Sequence, residues 1–307
     1  MSRPKIGLAL GSGSARGWSH IGILEALKKH GITPDIVCGC SIGALVGAAF
    51  VAGKIAPLKD WVLALTWRNV ARLVGVGFPN GGLIDGDLFK DLMVKLNIDA
   101  PIESLATPFA AVATDLASGR EIWLREGPVH EAVRASMAMP GVFSPAKYGE
   151  QWLVDGGLVN PVPVSACRAL GAEMIIAVNL NANLVGKRLS PEVVVQDLNE
   201  RDIPQPALLE GLLQKMPRNL QQSLSRSTPQ RSAPRSSAPR YFDVLASSIN
   251  IVQDRITRSR LAGEPPHVML MPRLSHVGLF EFQRAQEAIA EGAACVDRAL
   301  PDLRTLV

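Results

Sequence analysis

Apolar residues fall along this chain in two recurring patterns: short continuous runs that end at glycine or a polar turn, and longer stretches with apolar positions three or four apart. Residues 5–10, 36–38, 108–114 and 174–178 are of the first kind and predict strands buried on both faces, the signature of a parallel sheet. Residues 18–29 are of the second kind, with Ile21, Leu24 and Leu27 at helical spacing and His30-Gly31 as a stop signal. Strand, helix and strand in this order form a βαβ unit, so the loops after Leu10 and after Cys40 should meet at one edge of the sheet. Further on, 55–96 reads as helix interrupted at 75–86, a stretch that suits a substrate entrance or a plain surface loop. A strand at 121–125 partners 108–114, and helix 129–137, strand 151–154 and helix 161–170 follow. After position 240 a helix at 241–261, a strand at 268–271 and a closing helix at 280–299 return to the core. The expected class is α/β with a mostly parallel central sheet.

Composition narrows this picture. With 47% apolar and 20% charged residues over 307 positions, the chain carries ample material for a core. Its longest apolar runs, such as 44–52, fall well short of the roughly 20 residues a spanning helix needs. No signal-peptide pattern precedes the first strand, so a soluble or peripheral, cytoplasmic protein is expected. Cysteines 38, 40, 167 and 295 have neither zinc-ligand spacing nor a disulfide framework, which fits a reducing compartment. The histidines lack metal spacing too, and no metal or cofactor is expected.

The formal charge of +4 is concentrated in one place. Lys215, Arg218, Arg226, Arg231, Arg235 and Arg240 lie within 214–240 without an acid among them, and the rest of the chain is slightly acidic. The basicity therefore belongs to a segment and not to a nucleic-acid-binding face. Residues 184–240 are rich in Ser, Pro, Gln and Arg and predict a mobile, low-complexity insertion in a single domain spanning 1–307. Near an anionic lipid surface each of these cations would contribute about 1 kcal/mol before screening.

Three stretches carry candidate chemistry. In Gly39-Cys40-Ser41-Ile42-Gly43 an apolar strand runs into Gly-x-Ser-x-Gly and then into small apolar residues of helical character. This is either a nucleophile elbow, with Ser41 presented before a helix N-terminus, or an ordinary glycine-rich turn. The loop Gly11-Ser12-Gly13-Ser14-Ala15-Arg16-Gly17 resembles a dinucleotide fingerprint only in part. Arg16 replaces the third glycine, and the serine turn occupies the place of the ribose-binding acid. A better use is an oxyanion hole built from the amides of Gly13, Ser14 and Ile42. Arg16 would buttress the loop, meet an anionic head group, or form a structural ion pair. The third stretch is Asp155-Gly156-Gly157, where the aspartate either approaches Ser41 across the sheet edge or satisfies its own turn. The order Ser41, Asp155, His276 also matches a Ser-His-Asp α/β-hydrolase, but that fold places several strands before its elbow and here a single strand precedes the one feeding Ser41. His20, His30, His130, His267 and His276 read as helix, turn or surface residues.

These three motifs, in this order and at these separations, resemble the bacterial patatin-like phospholipases, on the neuropathy-target-esterase side of that family. The likeness continues through Thr114-Asp115-Leu116, 136–145 and the closing helix, while Ser12 and Ser14 stand where many relatives carry glycine and 184–240 does not map onto the family pattern. The resemblance implies a three-layer αβα sandwich and a Ser-Asp dyad, Ser41 with Asp155, working without histidine. It also implies hydrolysis of fatty acyl esters, typically phospholipids or lysophospholipids, through an acyl-enzyme; separately, a cytoplasmic protein peripheral at the inner face of the membrane is expected. A lipid-binding or regulatory module without turnover is the alternative from a different class.

Overall fold

The computed structural model describes residues 3–66, 86–182, 184 and 241–306. The chain divides into two compact units, Met1–Val185 with Ala246–Val307, and Gly186–Leu245. Of the second unit only the first residues of a helix are described. The basic stretch 185–240 and the interrupted residues 75–85 lie outside the described residues.

Eight strands form one sheet: β1 (Ile6–Leu10), β2 (Ile36–Cys40), β3 (Phe109–Asp115), β4 (Glu121–Leu124), β5 (Ala146–Tyr148), β6 (Gln151–Asp155), β7 (Met174–Val178) and β8 (Val268–Leu270). Their order is β5-β6-β3-β2-β1-β7-β8, with β4 also paired to β3. The pairs β3 with β2, β2 with β1, β1 with β7 and β7 with β8 are parallel, while β3 with β4, β3 with β6, and β5 with β6 are antiparallel. Every residue of β1, β2 and β3 is buried, which is why these strands read as unbroken apolar runs.

Helices α1 (Ser19–Lys29), α2 (Ile42–Val51), α3 (Ile55–Leu63), α4 (Gly86–Lys95), α5 (Val129–Ser136), α6 (Val164–Ala169), α7 (Tyr241–Gly263) and α8 (Ala285–Leu303) flank it. Because side chains alternate along a strand, Leu8 and Leu10 enter one apolar layer with Ile21, Leu45 and Val296, while Ala9 and Cys38 enter another with Val164 and Cys167. Two apolar layers around one sheet make the three-layer αβα sandwich. Helices α1 and α8 touch backbone to backbone: a Cβ on Gly22 would lie 1.9 Å from Ile289 O, and one on Gly292 would lie 2.0 Å from Ser19 O.

Some boundaries move. The closing helix starts at Ala285, after a 3-10 turn at Phe282–Arg284, and runs to Leu303 with Pro301 in its last turn, where the loss of one N–H bond affects only the helix end. The helix expected at 161–170 begins only at Val164, after Pro161 and Pro163. Strand β5, three residues long, carries too short a pattern to be read in advance.

Candidate active site

Ser41 joins β2 to α2 with φ 56°, a left-handed conformation that a serine adopts only under constraint. The constraint is close approach: a Cβ on Gly39 would lie 2.4 Å from Ala44 Cα, and one on Gly43 would lie 2.2 Å from Leu10 O. The turn is pressed against both α2 and the end of β1, and only glycine fits at either position. The Ser41 amide donates to Ser136 Oγ (2.8 Å), whose hydroxyl in turn donates to Val112 O (2.6 Å).

Strand registers explain how Asp155 reaches this turn. On one edge of β3, Phe109 to Val112 pair with β2, and Ala113 to Asp115 pair with β6; β4 takes the opposite edge. Cys40 faces Val112 and Asp155 faces Ala113, so β6 occupies the space that β2 vacates where the chain turns at Ser41. Ser41 Oγ donates to Asp155 Oδ2 at 2.6 Å, and Gly157 N donates to Asp155 Oδ1 at 2.7 Å. The aspartate backbone is held at both ends, with its N–H on Ala138 O (3.0 Å) and its carbonyl accepting from Thr114 Oγ1 (2.8 Å). Asp155 is fully buried and Ser41 nearly so. Burial pushes the Asp155 carboxyl up from 3.8 to about 6, outweighing the two hydrogen bonds that favour its ionised form.

The glycine loop lies beside the serine turn, since a Cβ on Gly17 would strike Ile42 Cγ2 at 2.2 Å. Several of its amides are already engaged: Gly11 N with Val178 O, Ser12 N with Pro161 O, Arg16 N with Gly13 O. Among the described residues the amides of Gly13, Ser14 and Ile42 have no acceptor. The two loop serines make side-chain clamps, Ser14 Oγ to Leu279 O (2.5 Å) and Ser12 Oγ to Gln253 Oε1 (3.2 Å). Arg16 is fully buried and donates to Asn181 Oδ1, Val277 O and Asn250 Oδ1. Its guanidinium buttresses the loop from inside. Gly156 packs over the strand ends, where a Cβ would lie 2.1 Å from Val112 O.

His276 is half exposed and pairs with Glu287; His267 accepts from Ile175 N and His30 pairs with Asp297. None of the three bonds to Ser41 or Asp155. Sequence reasoning passed over His20, which is fully buried and bonds Gly11 O through Nε2 at 2.9 Å, its pKa lowered by burial to about 4. The sequence signal for it was a histidine on the inner face of the helix that follows the glycine loop. Ser136 opens the 136–145 stretch of the family likeness without a role being read for it, and Gln253 carried no signal. Among the described residues no group of three or more His, Cys, Asp or Glu could hold a metal ion, and no helix is long and apolar enough to cross a membrane.

The family model described as patatin-like phospholipase matches residues 8–168, a span that contains the glycine loop, the Ser41 turn and the Asp155 turn. An uncharacterized NTE family protein of Mycobacterium tuberculosis is 31% identical, over 97% of this chain and 92% of that protein. Human patatin-like phospholipase domain-containing protein 6 is 31% identical over 222 residues, 64% of this chain and 16% of that protein. Among solved structures, VipD from Legionella pneumophila aligns over 98% of this chain and 77% of its own, with 13% identity and a TM-score of 0.38.

Proposed function

The chain belongs to the patatin-like phospholipase family, on its NTE branch, and on that premise we propose that it hydrolyses fatty acyl esters of the phospholipid or lysophospholipid class, with Ser41 as nucleophile and Asp155 as its base. Lipid acyl hydrolysis in the general sense follows from the family. The assignment of roles rests on one observation, the 2.6 Å hydrogen bond from Ser41 Oγ to a buried Asp155 Oδ2.

In this reading Ser41 Oγ attacks the ester carbonyl carbon while its proton passes to Asp155 Oδ2. Negative charge that develops on the carbonyl oxygen meets the amides of Gly13, Ser14 and Ile42 and the N-terminal dipole of α2. Collapse of the tetrahedral adduct expels the alcohol, which takes the proton back from Asp155 and leaves the acyl group on Ser41. Water then attacks the acyl-enzyme, gives its proton to Asp155 and releases the fatty acid as Ser41 is reprotonated. An ordinary aspartate is a poor base for this work. A carboxyl lifted to about 6 holds a proton about two units more tightly, which brings roughly 3 kcal/mol of the mismatch with serine inside the preformed site.

A Ser-His-Asp triad is disfavoured because His276 is committed to Glu287 at the surface. A substrate of this class is presented at a lipid surface, so the protein works there peripherally. The test is hydrolysis of short and long acyl esters by purified protein, with Ser41→Ala and Asp155→Asn as variants. Both should lose activity while staying folded, and His276→Ala should stay close to wild type. An active Asp155→Asn would end the dyad assignment.

A further inference from the structure

Residues beyond the 8–168 match hold a chain of buried amides behind the glycine loop. Arg16 donates to Asn181 Oδ1 at 2.9 Å. A guanidinium has donors only, so Asn181 must turn its oxygen toward Arg16 and its Nδ2 away. That Nδ2 donates to Gln253 Oε1 at 2.8 Å, and Ser12 Oγ shares the same oxygen at 3.2 Å. The orientation of the Gln253 amide is thereby fixed, with Nε2 pointing to the other side. There Nε2 is buried, has no acceptor among the described residues, and lies 2.3 Å from the point where a Cβ on Gly157 would sit. Asp155 Oδ1 is 2.9 Å from that same point. One side chain of α7, only 3% exposed, thus grips the glycine loop through Ser12 and backs onto the turn that carries Asp155.

We propose that Gln253 is a positioning residue for the hydrolysis, setting the spacing between the amides that follow Ser12 and the Asp155-Gly156-Gly157 turn. The inference rests on the roles given above to Ser41 and Asp155. Its physical content is rigidity. The glycine loop and the Asp155 turn come from different strands, and misplacing catalytic groups by about 1 Å costs on the order of a hundredfold in rate. Ser12 is then more than a substitute for glycine, because its hydroxyl is the point at which the loop is tied to α7.

The experiment uses the full chain as wild type, Gln253→Met, Ser12→Gly and the double variant, with a medium-chain p-nitrophenyl ester. Rates are expressed per Ser41 labelled by a fluorophosphonate, so that a loss of folded protein does not count. Methionine has nearly the volume of glutamine but cannot hold Ser12 or Asn181. Each single variant should lower kcat about tenfold with KM within about twofold, the size expected when one restraining hydrogen bond is lost. The double variant should be no slower than the slower single, since both changes delete the same bond. Effects that multiply, or a Gln253→Met enzyme with wild-type kcat, overturn the proposal.

A second readout needs no turnover and no substitution at 253. In Ser12→Gly, amide hydrogen exchange should quicken both in 9–18 and in 153–160, and an unchanged 153–160 overturns the coupling. A wild type inert to ester and probe would instead defeat the hydrolase reading, with the exchange result still deciding the role of Gln253.

Discussion

Replacing Asp155 by asparagine should abolish ester hydrolysis and yet make the protein more stable at neutral and alkaline pH. The carboxyl titrates near 3.8 in an unfolded chain and at about 6 in the folded protein, with burial as the leading cause. The folded state therefore binds this proton more tightly than the unfolded state does. Its contribution to stability is fully present below about 3.8, declines as pH rises, and is gone above about 6. The difference between these two values corresponds to about 3 kcal/mol. At pH 8 the wild type thus carries a buried carboxylate whose ionisation weakens folding by up to that amount. Asparagine removes the charge and keeps one oxygen to accept from Gly157 N, so a gain of about 1–3 kcal/mol is expected after allowing for imperfect bonding of its NH2. For a chain of this size that is a rise in Tm of a few degrees, at about 2–4 °C per kcal/mol. Thermal unfolding of both proteins should be followed from about pH 4.5 to 8, the difference in Tm growing through the window and levelling off above pH 6–7. His20, buried and lowered to about 4, destabilises both proteins alike as pH falls and so cancels in the difference. An Asp155→Asn protein less stable than wild type at pH 8, or a difference that does not vary with pH, would refute the reasoning.

With Asp155 in the proposed role of base, kcat/KM should fall about tenfold per pH unit below an apparent pKa of about 6, and an acid limb that stays flat to pH 5 would remove Asp155 as the base. Ser136→Ala strips the acceptor from the buried Ser41 amide, which should cost about 1–3 kcal/mol in urea unfolding and slow hydrolysis; unchanged stability would mean that water takes the hydroxyl's place. Gly43→Ala drives a Cβ to 2.2 Å from Leu10 O and should cost about 3 kcal/mol or more, so a variant within about 1 kcal/mol of wild type would show that the elbow is looser than drawn. Ser14 sits at φ 52° with its hydroxyl on Leu279 O; Ser14→Ala keeps the strain and loses the bond, whereas Ser14→Gly loses both, and the alanine variant should therefore be the less stable by about 1 kcal/mol. The opposite order of Tm values counts against a strained loop.

Much of the sheet was legible because strands buried on both faces must be continuously apolar. β1, β2, β3 and β7 show this, and the first βαβ unit alone brings the glycine loop against the serine turn. Ser41 and Asp155 stood out for a related reason, since each sits between a strand and glycines that only close packing demands. The antiparallel placement of β6 was not legible. Its path past the end of β2 depends on register against β3, and in Gln151-Trp152-Leu153-Val154 two exposed residues precede two buried ones without alternation. His20, Ser136 and Gln253 were hidden too, since what distinguishes each is a partner in another element: Gly11 O, the Ser41 amide, the Ser12 hydroxyl.

That distinction bears on how far motifs alone can carry function. Ser41, Asp155 and the amides of Gly13, Ser14 and Ile42 all fall within residues 8–168, yet many of the bonds that hold the glycine loop in shape come from later in the chain. Leu279 O accepts from Ser14 Oγ and Ala15 N, Val277 O and Asn250 accept from Arg16, Phe282 O accepts from Trp18 Nε1, and Gln253 takes Ser12. Most of these acceptors are main-chain carbonyls, whose positions depend on the backbone path of 277–282 more than on side-chain identity. A relative can therefore change sequence in this region and keep the same loop, or keep all three motifs and lose the loop when the path shifts. Preorganised donors are where most of the barrier lowering in acyl transfer arises, so differences in rate among chains with identical motifs should track the geometry of these late residues and not the proposed pair of Ser41 and Asp155.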